Sequence, residues 1–220
     1  MLRAVLARRG SIVTGLGRDW RRELAPIQET RRQTALLLSD MHALQIQVCV
    51  RAAARLDGVM AEAGVLAGGS ARLICEAKGS VPLHLFDVFE TLQAEGDDAP
   101  DLRRHFGAIH GVRAEVERLL EPYSAVHIHE GVFPATTAGL QATRFSFVHL
   151  DLDLEPGTRA GLEFFHPRLV PGGILLGDDY NLPAVRRVFE AYFAGRPDTV
   201  MVMPWGQAIV VKQAGSERAA

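Results

Sequence analysis

Cysteine and lysine are nearly missing from this chain of 220 residues: two cysteines, Cys49 and Cys75, and two lysines, Lys78 and Lys212, stand against 22 arginines. Two isolated cysteines without a Cys-x-x-Cys spacing exclude a disulfide framework, a zinc ribbon and a redox dithiol. Both lie in apolar stretches with a helical look, so buried free thiols in a reducing compartment are expected. There is no basic surplus. Lys and Arg number 24 against 26 Asp and Glu, a formal net charge of −2, which argues against a dedicated nucleic-acid binder. No apolar run approaches the roughly 18 residues that a membrane span needs. The opening MLRAVLARRG is also too short in apolar residues for a secretory core. The expectation is a cytoplasmic protein with neither a membrane nor a nucleic acid as partner. What is present, 48% hydrophobic and 23% charged residues, suffices for one sizeable globular domain with its own core.

The first 34 residues carry eight arginines, among them Arg3, Arg8, Arg9 and Arg18. They read as a solvated terminus rather than as a phosphate-binding arm. From Arg31 to about Leu56 the apolar residues Leu37, Leu38, Met41, Leu44, Ile46, Val48 and Ala52 recur at helical steps, with no Pro or Gly between them. The alternative is a second helix capped by Ser39 or Asp40. Met41 and His42 are candidates to face a ligand, with core filling as the blander reading for Met41.

After Gly58 strands alternate with helices. Strands are expected at Val59–Ala63, Leu83–Asp87, Ala125–His129, Phe145–Asp151 and Gly173–Gly177. Helices are expected near Ser70–Glu76, Asp101–Leu120, Thr158–His166 and Pro183–Phe193. This order implies right-handed crossovers and a mostly parallel sheet covered on both faces. Thr199–Met203 and Ala208–Lys212 leave no room for a helix between them, so they should close the sheet as an antiparallel hairpin. The expected organisation is an N-terminal helical extension over 1–57, a ligand-binding sheet domain over 58–213 and a disordered tail over 214–220.

The first strand runs into Glu62-Ala63-Gly64-Val65-Leu66-Ala67-Gly68-Gly69-Ser70. Such a loop lets a ligand approach the backbone at the N-terminus of a helix. It is not GxGxxG, because Leu66 stands where the middle glycine would be, which weakens a pyrophosphate reading. Asp87 closes the second strand, a position from which one carboxylate can accept both hydroxyls of a ribose. Together they fit an adenosyl ligand without a pyrophosphate, S-adenosyl-L-methionine. Asp151, Asp153, Asp178 and Asp179 end the fourth and fifth strands, the edge where an open parallel sheet binds its ligands. Carboxylates gathered there repel one another unless a cation sits among them. An oxygen donor set favours Mg²⁺, with Mn²⁺ or Ca²⁺ as further candidates.

These motifs resemble the class I S-adenosylmethionine-dependent methyltransferases of the macrocin O-methyltransferase type. The string Glu62-x-Gly64-Val65-x-x-Gly68-Gly69-Ser70-Ala71 is similar to that family's first motif. Phe86-Asp87-Val88-Phe89-Glu90 is similar to its second, and Glu130-Gly131-Val132-Phe133-Pro134-Ala135-Thr136 to its third. His149 to Tyr180 resembles its metal-site region, including the Pro171-Gly172-Gly173 turn before the fifth strand. The resemblance covers about Leu36 to Lys212. It implies a Rossmann-like α/β methyltransferase fold, with a mostly parallel seven-stranded sheet ending in an antiparallel hairpin. It also implies that Glu62, Gly64, Gly68, Gly69, Ser70, Asp87, Glu130 and Gly131 serve the cofactor. By the same likeness, which extends to the site layout of the catechol type, Asp151, Asp178 and Asp179 hold the metal. The chain departs from the pattern at Asp153-Leu154-Glu155-Pro156-Gly157-Thr158, where the family's tyrosine is missing. It also has Leu154 at about the place of the catechol type's catalytic lysine.

The expected activity is metal-dependent O-methylation of a small hydroxylated acceptor, a vicinal diol of a sugar or natural product. Asp153 is the first candidate for general base and His149 the second, with Asp151 beside them on the same strand face. His127 and His129 share a strand face without a carboxylate partner in sequence and read as structural. His166, before Pro167 at a helix end, is placed for a C-terminal cation. The rival readings are a non-catalytic adenosyl-binding module and a metal-dependent hydrolase. The aspartates argue against the first and the glycine loop with Asp87 against the second. The apolar N-terminal helix also offers a surface for a homodimer.

Overall fold

The central strands carry apolar residues in both phases of their alternation, so they must be buried on both faces. In the computed structural model, which describes residues 19–89 and 112–215, β4 (Phe145–Leu150) is buried at all six positions. β1 (Val59–Ala63) is buried at four of its five. Around them lie β2 (Leu83–Asp87), β3 (Val126–Glu130), β5 (Leu169–Gly177), β6 (Thr199–Val202) and β7 (Ala208–Val211), in the order β3-β2-β1-β4-β5-β7-β6. The first five strands pair in parallel, and β7 pairs antiparallel with both β5 and β6. The chain therefore has the α/β fold expected from its sequence, closing hairpin included.

Helices α1 (Trp20–Gln33), α2 (Asp40–Ala53), α3 (Gly69–Ala77) and α4 (Arg113–Leu120) cover one face. Ile27, Ile46, Val50, Leu73, Ile74 and Val116 pack there against Met60, Leu85, Phe147 and Leu176. Helices α5 (Glu155–Phe165) and α6 (Pro183–Phe193) cover the other, where Leu162, Phe165, Val185, Val188 and Phe189 meet Ala61, Phe145, Val148 and Leu175. Proline in the first turn of α5 and of α6 costs no hydrogen bond, since those N–H groups have no helical partner. The crossover from β3 to β4 has no α-helix, only a 3₁₀ turn at Ala135–Thr137. Both cysteines are buried free thiols in helices. No helix among the described residues is long and apolar enough to cross a membrane.

Several expectations need correction. Arg31–Leu56 is not one helix: α1 stops at Gln33, and α2 starts behind Ser39, whose hydroxyl accepts the His42 N–H. Ser39 wins because its side chain satisfies an orphan amide that a continuing helix would not leave open. Arg31 closes the link by donating to the Leu36 and Leu38 carbonyls and to Asp40. β5 begins four residues before the expected Gly173, because Pro171-Gly172-Gly173 is a bulge within the strand and not a turn before it. Between successive pairs β4 advances two residues while β5 advances five. The expected helix Asp101–Leu120 is described only from Arg113. The arginines Arg3 to Arg18, Glu90 and the last five residues of the expected tail lie outside the described residues.

Two buried polar groups are resolved in opposite ways. Lys78, 1% exposed, keeps its ammonium satisfied by the carbonyls of Val81 at 2.9 Å and Ser124 at 2.8 Å. His166 is not the helix-end cation expected. Burial, and after it the charge of Lys212, pushes its pKa down to about 4, although Asp198 lies 3.2 Å away. Its folded value thus falls below the roughly 6.5 of a free imidazole. Between these values the unfolded chain binds the extra proton, so stability is lost as pH falls from about 6.5 towards 4. His166→Gln should flatten the fall of the urea midpoint across that window; an unchanged slope contradicts this assignment.

Candidate active site

The C-terminal ends of β1 to β5 carry the residues expected to serve the cofactor, the metal and the proton transfer. Gly64 follows β1 at φ +91, and a Cβ built there would lie 1.6 Å from the Asp151 carbonyl oxygen. Only glycine lets the loop touch the segment after β4. Beyond it, the N–H groups of Val65 and Leu66 donate to Asp87 Oδ2 at 2.6 and 2.8 Å, and Phe89 N–H donates to Oδ1 at 2.8 Å. Three of the roughly four acceptor positions of this carboxylate are therefore spent on shaping the loop. Leu66, in the place of the missing glycine, still adopts the left-handed conformation at φ 51. Gly68 takes the cap position of α3 at φ 79, and Ser70 is buried in its first turn. The link between α1 and α2 lies on this turn: Thr34 Oγ1 donates to Ala67 O at 2.6 Å. A Cβ on Gly69 would come within 2.6 Å of Ala35 O.

The register aligns Asp87 with Glu130, and Gly131 N–H donates to Asp87 O at 2.9 Å. Glu130 is exposed and held by Arg113 at 2.8 Å. Glu62 differs from the rest of its motif. It is fully buried, and its Oε1 lies 2.8 Å from His149 Nδ1, its direct neighbour in the β1–β4 register. His149 is itself fully buried, with Nε2 3.8 Å from Asp178 Oδ2. Glu62, His149 and Asp178 thus form a chain beneath the sheet edge. Burial works against a charge on His149, yet the Asp178 and Glu62 carboxylates hold its pKa well above the usual imidazole range.

The aspartates converge. Ligand atoms of His149, Asp151 and Asp178 lie within 4.8 Å of one another, and so do those of Asp151, Asp153 and Asp179. Asp153 and Asp179 occupy the left-handed region at φ 56 and 54, a conformation that short polar residues tolerate and that clusters at functional sites. Asp178 N–H donates to Leu150 O at 2.9 Å, which ties the ends of β4 and β5 together. No aspartate caps α6, whose cap position is Leu182 without a side-chain bond. Burial first, and the neighbouring carboxylates next, raise the pKa of Asp151 and Asp153 well above the carboxylate range. Asp179 is raised by burial and by Asp178. Asp178 goes the other way: burial opposes it, but His149 holds it ionised.

A cation would relieve this repulsion, and a buried atom awaits one, since Asp178 Oδ2 has no hydrogen-bond partner. The donor set is oxygen from at least two strands, which suits a hard divalent ion. Asp151, Asp153, Asp178 and Asp179 therefore fit such an ion. Sequence reasoning gave less weight to His42, which α2 carries to within 3.6 Å of Asp178 Oδ1. The signal was the Ser39 cap, which fixes the first turn of α2 over the sheet edge.

The fold is that of a Rossmann-like methyltransferase. Residues 22–199 match the family model of the macrocin O-methyltransferases (TylF), so the chain belongs to that family. It is an S-adenosylmethionine-dependent O-methyltransferase. A curated relative from Streptomyces olivaceus, the 8-demethyl-8-(2,3-dimethoxy-alpha-L-rhamnosyl)-tetracenomycin-C 4'-O-methyltransferase, is 31% identical over 192 residues. The match covers 80% of this chain and 70% of that protein. Among solved structures, the O-methyltransferase NovP superposes with a TM-score of 0.70 at 20% identity, over 81% of this chain and 82% of its own. The calicheamicin methyltransferase CalS11 gives 0.65 at 18% identity, over 90% and 98%.

Gly64→Ala should lose at least about 3 kcal/mol of stability, the range of severe backbone clashes, and with it the affinity for S-adenosylhomocysteine. Calorimetry and thermal unfolding check this, and a variant that matches the parent in both refutes the close approach.

Proposed function

We propose that this chain methylates a hydroxyl of a sugar unit on a small natural product, one hydroxyl of a vicinal diol, with a divalent cation held by Asp151, Asp178 and Asp179. The observation that carries the reading is the aspartate cluster, whose own backbone touches the glycine loop at Gly64. The likeness to the tetracenomycin rhamnosyl 4'-O-methyltransferase supports a glycosylated acceptor.

In this reading Gly64, Gly68, Gly69 and Ser70 receive the amino-acid end of S-adenosylmethionine. Asp87 offers its remaining acceptor position to the ribose, and Glu130 and Gly131 flank the adenosyl side. Glu62 acts at one remove, by holding His149. Methyl transfer from a sulfonium is an in-line displacement, so the chain must fix the direction of the acceptor oxygen and strip its proton. A bound divalent ion would supply Lewis-acid activation of the acceptor hydroxyl. Asp153, set against Asp179, is the proton acceptor, in the ionised form that a bound cation would restore by offsetting the repulsion that holds its pKa up. His149 cannot compete, because Glu62 holds its Nδ1 and it reaches no solvent. The single positive charge of His149 keeps Asp178 ionised for the cation. His42 and the start of α2 wall the acceptor side.

Asp178→Asn, which keeps shape while removing a charge, tests the division of labour. S-adenosylmethionine affinity should stay within about threefold while kcat falls at least about 100-fold, and Mg²⁺ should cease to raise the Tm. Loss of cofactor affinity in this variant would sink the assignment of the aspartates. Full turnover after exhaustive chelation would sink the metal.

A further inference from the structure

A second cluster of titratable side chains lies on the opposite face of the sheet, away from the aspartates. His84 on β2 and His127 and His129 on β3 project from one face, because His84 pairs with His127 in the register and Phe86 with His129. His127 and His129 are two residues apart on one strand and so share a side. His84 Nδ1 and His129 Nε2 are 2.9 Å apart, and the His84 ring stacks on His127 at 4.9 Å and on His129 at 5.2 Å between centroids. Among the described residues, the β3–β4 crossover offers this face only the 3₁₀ turn at Ala135–Thr137. His127 is consequently exposed, with His84 and His129 half-buried beside it.

We propose that His84, His127 and His129 form a binding site for one borderline divalent transition metal ion, Cu²⁺, Ni²⁺ or Zn²⁺. Two imidazole nitrogens bound side by side on one ion, with bonds of about 2.1 Å, stand about 3 Å apart, the spacing that His84 and His129 already have. The exposed His127 ring stacks on His84 at 4.9 Å between centroids, so a change of its side-chain rotamer is what would bring a third nitrogen to the ion. An all-nitrogen set selects against Mg²⁺ and Ca²⁺ and for the later first-row ions. The rings are also in the form that binds metal. Burial, then His129 and His127, depresses the His84 pKa to about 4, and burial and His127 lower that of His129. Both are neutral at neutral pH, and a metal ligand must be unprotonated. On binding, the N–H shared between His84 and His129 moves to the other nitrogen of its ring, so both lone pairs reach the ion and no proton is released. An occupied site would staple the edge strand β3 to β2, where no helix lies on this face among the described residues.

The site is independent of the aspartate cluster, and its test keeps the two apart. The full chain is titrated with Cu²⁺ in saturating Mg²⁺, followed by electron paramagnetic resonance, and with Ni²⁺ by calorimetry and thermal unfolding. One ion should bind at micromolar affinity, with hyperfine splitting from two or three nitrogens and a rise in Tm. His127→Ala, an exposed position that the fold does not need, should weaken binding by about tenfold or more. His84→Ala should do so at least as strongly, and Asp178→Asn should leave it unchanged. An oxygen-only spectrum overturns the proposal. So does an affinity that survives in His84→Ala/His127→Ala/His129→Ala, which would mean an adventitious ion held elsewhere.

Discussion

The Gly64 backbone lies against the Asp151 carbonyl with no room for a side chain, and the site is organised from this contact. The loop after β1 and the segment after β4 belong to neighbouring strands, so their ends would be close in any sheet of this order. What the glycine adds is contact without an intervening atom. The loop turns at once and presents its N–H groups to Asp87, while Asp151 stays at the strand end among the other carboxylates. Donor and acceptor must meet in line for methyl transfer, and a spacer here would separate them.

Charge is arranged around the same edge with an internal counterion. His149 sits between Glu62 and Asp178, fully buried. One positive charge in a low-dielectric setting serves two carboxylates. Asp178 is kept ionised, whereas Asp151, Asp153 and Asp179 are pushed towards their neutral forms. The cluster thus divides into a fixed anion and three carboxyl groups held towards neutrality by burial and mutual repulsion, which a bound cation would return to the ionised form that metal ligation needs. A buried Glu–His pair contributes little net stability. Its value lies in holding the two strand ends in one electrostatic state.

The sheet was legible in the sequence because it depends on short-range signals. Runs such as Phe145–Leu150 and Val59–Ala63 carry apolar residues in both phases, and glycines and aspartates follow their ends. The aspartates were legible as a cluster for a topological reason: ligand edges of parallel sheets collect the residues that follow each strand. What could not be read depended on contacts between distant segments. The break between α1 and α2 lacks proline and glycine. It is stabilised by Ser39 locally, but also by Arg31 reaching over the link and by the missing side chain of Gly69 33 residues away from Leu36. The role of Glu62 as a partner of His149, and the meeting of His84 with His129, follow from cross-strand register. Spacing within one strand says nothing about that.

These long-range contacts change what the N-terminal helices are. An appended cap would touch the sheet through apolar packing alone, as Ile46 and Val50 do. Here Thr34 also holds the Ala67 carbonyl, the Ala35 backbone fills the space left by Gly69, and His42 approaches Asp178. Each contact falls on a different element of the site: the loop, the first turn of α3 and the aspartate edge. Moving α1 and α2 away would therefore disturb loop geometry and carboxylate charge together. Because α2 starts where Ser39 caps it, a one-residue slip would rotate His42 by about 100° away from the edge. The cap thus does more than end a helix. It sets the angular position of His42, the side chain of α2 that reaches the aspartates, and so makes α2 a wall of the candidate site.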